Sequence, residues 1–80
     1  MTTVEITEKV TSIFKDVLDN DDIILMRETI ADDIEEWDSL AHISIIVAIE
    51  KQFKIKFDLA ELKQLKNVGD LLDLVALKIS

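Results

Sequence analysis

The stretch from Asp38 to Phe53 reads DSLAHISIIVAIEKQF and contains no glycine or proline that would interrupt a helix. Four of its apolar residues share the spacing of one helical face: Ile43, Ile46, Ile49 and Phe53. Leu40, Ile45 and Val47 lie outside that face. Apolar residues on more than one face predict that this is the central helix of a small bundle, contacted on several sides. A second interpretation is that part of the extra apolar surface binds a partner or ligand.

A first helix is predicted to begin near Thr3, because Thr2 and Glu5 have the spacing of a capping box. The helical spacing of apolar residues that follows Thr3 ends at Asn20. The apolar residues between these points recur at helical spacing: Ile6, Val10, Ile13, Phe14, Val17 and Leu18.

Two more helices are predicted after the central one. Residues 59–65 form a short helix, and a last helix begins at Asn67, a favourable N-cap, with Asp70 in its first turn. Its buried stripe is expected to contain Val68, Leu71, Leu72, Val75 and Ile79. The sequence therefore predicts an all-α fold, a four-helix bundle with a long first loop and a short third helix, in one domain over residues 1–80.

The loop over residues 21–38 has no sustained hydrophobic period. Residues 23–26 are apolar and are expected to form a short turn on the core, and Ile30 and Ile34 are expected to anchor the rest. Long ordered loops in small domains are often functional.

The composition excludes several classes of protein. The 80 residues carry a net charge of -8 and include no cysteine, which excludes a disulfide and a thiolate zinc site. An acidic chain is a poor match for nucleic acid or an anionic membrane, and the nearly uncharged run over residues 39–49 is too short to span a bilayer. With no secretory signal at the N-terminus, the expected location is the cytoplasm.

The negative charge is concentrated before the central helix. Residues 16–38 contain ten acids and one base, Arg27, whereas residues 39–66 contain three acids and five lysines. One interpretation is a solvated acidic loop. The other is an electrostatic docking surface around chemistry that begins at Ser39.

The sequence gives little support for an enzyme or a metal site. His42, the only histidine, follows Ser39 by three residues, but a Ser–His nucleophile also needs an orienting group and an oxyanion site, so we expect a surface histidine. The run from Asp19 to Asp22 starts like a calcium loop, but Ile23 and Ile30 occupy later ligand positions. The remaining option for a metal is unspecific binding of a divalent cation by the acids of the loop, which are Asp32, Asp33, Glu35, Glu36 and Asp38.

Asp38 and Ser39 have two interpretations. Both residue types cap helices, since their side chains accept hydrogen bonds from free backbone N–H groups. A serine at a helix N-terminus can also bear a phosphodiester, which the helix dipole stabilises.

The sequence from Glu36 to Leu40, Glu-Trp-Asp-Ser-Leu, resembles the attachment motif of the acyl carrier proteins, and the resemblance extends over the whole chain. It implies that Ser39 receives 4'-phosphopantetheine from coenzyme A through a separate phosphopantetheinyl transferase, with Asp38 positioning the serine. Acyl groups would then be carried as thioesters to acyl-transferring, ligating or condensing enzymes, and the carrier would be a monomer.

The resemblance also implies roles for residues around the motif. Those expected to dock partners are Glu35, Glu36, Trp37, Leu40, Val47 and Glu50. Those expected to line a pocket for the acyl chain, between the second and third helices, are Ile43, Ile46, Phe57 and Leu62. Trp37 has a second interpretation, in which it packs beneath the loop.

Two departures from the family pattern bear on the pathway. Glu36 stands where carriers of housekeeping fatty-acid synthesis usually have glycine, and no acid occurs between Ser39 and Glu50. These departures favour a specialised fatty-acid or polyketide-type pathway. The alternatives are a peptidyl or aminoacyl carrier and an unmodified acidic adaptor that binds a basic partner.

Overall fold

The computed structural model describes residues 2–79 and contains four α-helices. They are α1 (Thr3–Leu18), α2 (Ser39–Phe53), α3 (Leu59–Lys63) and α4 (Val68–Ile79), and a 3-10 turn (Ala31–Asp33) lies in the first loop. This confirms the all-α fold with a long first loop and a short third helix. No helix within the described residues has the length and apolar character needed to cross a membrane.

The capping box predicted for α1 is confirmed. The Thr2 hydroxyl accepts a 3.2 Å hydrogen bond from the Glu5 backbone N–H, and the Glu5 carboxylate accepts one from the Thr2 N–H. The Thr2 N–H and the Thr2 hydroxyl both donate to the Glu5 carboxylate, and these two hydrogen bonds lower the pKa of Glu5. Asp19 ends the helix in the left-handed conformation, with its N–H bonded to the Lys15 carbonyl.

The buried core is built mainly from α1, α2 and α4, with one residue from each half of the first loop, Ile23 and Trp37. From α2 it takes Ile45, Ile46, Ile49 and Phe53. Ile43 has the helical spacing of Ile46, Ile49 and Phe53 but not their burial, because its side chain is 60% exposed whereas that of Ile45 is fully buried. At about 100° per residue, Ile43 lies roughly a quarter-turn away from the centre of the buried face.

The first loop is only partly anchored as predicted. Ile34 is half-buried against the core, but Ile30 and Ile24 are exposed. The expected apolar turn at residues 23–26 is also partly wrong, since Ile23 is buried while Met26 faces solvent. Successive residues therefore alternate between core and solvent instead of packing together.

The middle of the loop is fixed to the start of α4 by two 2.8 Å backbone hydrogen bonds, from Val68 N–H to the Thr29 carbonyl and from Gly69 N–H to the Arg27 carbonyl. We call this pair the loop clasp. A Cβ added at Gly69 would lie 3.0 Å from the Arg27 carbonyl oxygen, so the close approach favours glycine. The Arg27 guanidinium also pairs with Asp73 at 2.7 Å.

Candidate functional site

Ser39, the first residue of α2, is exposed to solvent. Asp38 is the N-cap, and its side chain accepts a 2.8 Å hydrogen bond from the Ala41 N–H. Its carbonyl accepts the first intrahelical bond, from His42 N–H. Ser39 is exposed, and the N–H groups of Ser39 and Leu40 precede that first bond. Such free N–H groups at the positive end of a helix dipole favour an anion.

Trp37, two residues before Ser39, belongs to the core. Its indole is 8% exposed and meets the ring of Phe14 edge to face, with centroids 4.9 Å apart. The interpretation in which Trp37 packs beneath the loop is therefore confirmed. The prediction that Trp37 docks partners is wrong, because a buried ring offers almost no contact surface.

His42 is half-buried and is held by Trp37. The indole N–H of Trp37 donates to Nδ1 of His42 at 3.1 Å, and the rings lie 28° from parallel. Burial lowers the pKa of His42 below its ordinary value. His42 is therefore not the freely exposed histidine that the sequence predicts, since its ring is half-buried and bonded at Nδ1 to the indole.

The same hydrogen bond disfavours general-base chemistry at Ser39. A neutral imidazole that accepts at Nδ1 carries its proton on Nε2, an assignment that follows from the hydrogen bond. The lone pair on Nδ1, which a general base would need, therefore accepts the hydrogen bond from Trp37. The Ser39–His42 spacing therefore reflects packing of the ring rather than an activated nucleophile.

An open groove of about 650 Å³ lies beside Ser39, between the first loop, the start of α2 and the chain that joins α3 to α4. Its apolar lining includes Ile43, Leu65 and Leu71, and Lys66 lies in its wall. Sequence reasoning missed Leu65 and Leu71 as lining residues, because their distance from Ser39 along the chain hides the contact.

The predicted acyl pocket coincides with this groove only at Ile43. Ile46 is buried in the core, and Phe57 and Leu62 are half-buried against it. Because Ile46, Phe57 and Leu62 lie in or beside the core, they do not line the groove beside Ser39, and a pocket between α2 and α3 stays a prediction.

Some of the residues expected to dock partners are exposed, and others make contacts within the protein. Glu35 and Glu36 are exposed before α2, and Leu40 and Val47 are 77% and 40% exposed along it. Glu50 is half-buried, and its carboxylate accepts a 2.9 Å hydrogen bond from the Phe57 N–H. The carboxylate of Glu50 thus has an internal contact, and docking by Glu50 stays a prediction.

The exposed apolar residues of α2 lie on one side of the helix. Leu40, Ile43 and Val47 are spaced by three and four residues and all face solvent. We call these three residues the apolar face of α2. Within residues 2–79, no three His, Asp or Glu side chains are grouped so that they could hold a metal ion.

Comparisons with known proteins agree on one family. A family model described as a phosphopantetheine attachment site matches residues 8–75. The acyl carrier protein of Thermosynechococcus vestitus is 34% identical over 77 residues, which cover 95% of this chain and 94% of the relative. The solution NMR structure of a holo acyl carrier protein from Geobacter metallireducens has a TM-score of 0.86 and 56% identity, covering 90% of this chain and 83% of that one.

Proposed function

This chain belongs to the acyl carrier protein family, and we propose that Ser39 is the residue to which its 4'-phosphopantetheine group is attached. Members of the family are carriers and not enzymes, and the group is bound to them covalently. The observation that carries the assignment to Ser39 is its exposed position at the capped start of α2.

The residues around Ser39 fit a phosphodiester. The hydroxyl is open to solvent, and the N–H groups of Ser39 and Leu40 are free to receive phosphate oxygens. Asp38 keeps the first turn of α2 in place by accepting from Ala41. When bound, the arm supplies the thiol that a chain without cysteine lacks, and acyl groups are carried on it as thioesters.

We propose that partner enzymes contact two surfaces on either side of Ser39. Glu35 and Glu36 present exposed negative charge immediately before α2, which favours partners with a basic entrance. Leu40 and Val47 present apolar area along α2, where a partner can exclude water. The partners are a phosphopantetheinyl transferase and the enzymes that load or accept acyl groups.

We also propose a specialised pathway of the fatty-acid or polyketide type. The first eleven residues of α2 contain no acid, so a partner that relies on carboxylates along this helix finds none before Glu50. Glu50 itself is engaged by the Phe57 N–H. We propose a monomer with a single domain, because the helices of one chain close the core. We propose a cytoplasmic location on the sequence alone.

Loading with coenzyme A tests the assignment of Ser39. We expect a promiscuous phosphopantetheinyl transferase with Mg²⁺ to add one phosphopantetheine, measured by intact mass. Ser39→Ala should abolish the gain, while Ser44→Ala, an exposed serine of the same helix, should keep it. A mass gain that persists in Ser39→Ala would show that another residue carries the arm.

A further inference from the structure

The solvent-facing side of α2 changes from apolar to cationic along its length. The apolar face of Leu40, Ile43 and Val47 is followed at the same three- and four-residue spacing by Lys51 and Lys54. All five residues are exposed. One continuous side of the helix therefore runs from the attachment site to a group of lysines.

The lysines at the far end form a patch with a fixed backbone. Lys51, Lys54 and Lys56 surround a shallow depression together with Val47, Ile55 and the half-buried Glu50. Lys54 adopts the left-handed conformation with φ 57°, and the N–H groups of Lys54 and Ile55 both bond to the Glu50 carbonyl. We call Lys51, Lys54 and Lys56 the lysine patch.

Among the residues that the structure describes, no lysine of the patch forms an ion pair with a carboxylate. The ion pairs among residues 2–79 join Arg27 to Asp73 and Lys78 to Glu61. The carboxylate of Glu50 lines the same depression, but it accepts a hydrogen bond from the Phe57 N–H and forms no ion pair with these lysines. Three ammonium groups therefore face solvent on a protein whose net charge is -8.

The two ends of this side of α2 are electrostatically separate. The rise of an α-helix places Lys54 roughly 20 Å from Leu40. That distance exceeds the screening length of about 10 Å at 0.1 M salt, so each end presents its own sign of charge to a partner. Acids precede Ser39 at one end, and lysines stand at the other.

We propose that the lysine patch docks on carboxylates of a partner enzyme, so that α2 is bound as one surface with opposite charges at its ends. The partner would bring basic groups to the acids before Ser39, an apolar groove to the apolar face, and acidic groups to the lysine patch. Opposite charges at the two ends fix the direction in which α2 lies on the partner, because the reversed orientation opposes like charges. This inference rests on the proposed carrier function.

A protein partner fits the patch better than a lipid surface does. Clusters that bind anionic membranes contain four to eight basic residues, whereas this patch has three. The acidic segment over residues 16–38 would also be repelled by anionic headgroups. A protein groove can present both signs of charge, which a uniformly anionic surface cannot.

The test uses an amphipathic helical peptide with a leucine face, glutamates at one end and lysines at the other. A nitroxide on the glutamate end should broaden the amide signals of residues 51–56 in the isotope-labelled protein. Lys51→Gln, Lys54→Asn and Lys56→Gln together should weaken binding about fivefold, as expected for several exposed pairs. Asparagine is chosen at position 54 because it tolerates the left-handed conformation.

The matched control neutralises Lys9, Lys15 and Lys63, which lie outside the patch, to the same net charge, and should bind like wild type. The proposal would be overturned if the nitroxide on the glutamate end broadened the amide signals of residues 35–40, or if the patch variant bound the peptide as tightly as wild type. So would patch-dependent broadening by vesicles that contain anionic phospholipid. A wild-type chain that loads at Ser39 but ignores the peptide overturns the lysine patch alone, whereas a chain that does not load overturns the carrier assignment.

Discussion

The indole Nε1–H of Trp37 donates a 3.1 Å hydrogen bond to Nδ1 of His42, which joins the last residues of the first loop to the first turn of α2. Trp37 also meets Phe14 of α1 edge to face. One side chain thus connects the core to the segment that presents Ser39. Stability and site geometry are linked through this indole.

We expect Trp37→Phe to lower the free energy of unfolding by about 1–3 kcal/mol, because the hydrogen bond and part of the ring volume are lost. Trp37→Ala should cost about 3–5 kcal/mol, since the contact with Phe14 is lost as well. Urea unfolding followed by circular dichroism measures both. Equal stability of Trp37→Phe and wild type would show that the hydrogen bond contributes nothing net.

We expect His42 to contribute to the change of the unfolding free energy with pH. Its pKa is lower in the folded chain than the ordinary value of 6.5, so the unfolded chain binds more protons as pH falls through that value. The stabilisation is complete above pH 6.5 and is lost as pH falls through the folded pKa, when Nδ1 can no longer accept from Trp37. His42→Gln, which does not titrate, should show a smaller loss of unfolding free energy between pH 7 and pH 5. Parallel pH profiles for the two proteins would contradict this prediction.

Asp38 is expected to act in both capping and loading. Asp38→Ala should cost about 1 kcal/mol, because the Ala41 N–H loses its acceptor. Asp38→Asn should keep wild-type stability, since asparagine caps equally well, but should load more slowly because the negative charge beside Ser39 is gone. Unfolding curves and initial loading rates separate the two effects. Loading of Asp38→Asn at the wild-type rate would limit Asp38 to a capping role.

Gly69→Ala should destabilise the chain by about 1–2 kcal/mol, even though alanine is the better helix former by about 1 kcal/mol. The added Cβ would lie 3.0 Å from the Arg27 carbonyl oxygen, which the loop clasp holds in place. Thermal unfolding measures the change. Asp73→Asn, which removes only the exposed ion pair to Arg27, is the control and should cost less than about 1 kcal/mol. A stabilised Gly69→Ala would mean that the loop moves aside without loss.

Charge reversal at Glu35 and Glu36 should slow association with the transferase. We expect Glu35→Lys with Glu36→Lys to lower the association rate several-fold at low salt, and the difference should shrink as salt screens the charges. Glu8→Lys with Asp16→Lys, at exposed positions of α1, gives the same net charge and should associate like wild type. Stopped-flow loading rates at two salt concentrations test this. Equal rates for both double variants would show that net charge, and not the acids beside Ser39, steers the partner.

Local signals in the sequence were sufficient for the helices and for the position of Ser39. The capping box at Thr2 and Glu5 and the N-cap at Asp38 depend on residues a few positions apart, so they could be identified from spacing. Ile43 could not be placed in the same way. Because α2 is apolar on several sides, periodicity alone does not decide which side faces the core.

Contacts between distant segments were the part that spacing could not predict. The loop clasp joins backbone groups of Arg27 and Gly69, and backbone groups leave no pattern in the side chains. The burial of His42 depends on the position of Trp37, which is set by Phe14 of α1. Each of these contacts forms only after the helices have packed.

The loop clasp also has a consequence for the order in which the chain matures. Val68 and Gly69 provide the N–H groups that hold Thr29 and Arg27, and they are synthesised about forty residues later. A nascent chain that stops before α4 already contains α1, α2 and Ser39, but its first loop has no clasp. The middle of the first loop is therefore fixed only once α4 is present, whereas the residues next to Ser39 are held by Trp37 against Phe14 of α1 and His42 of α2.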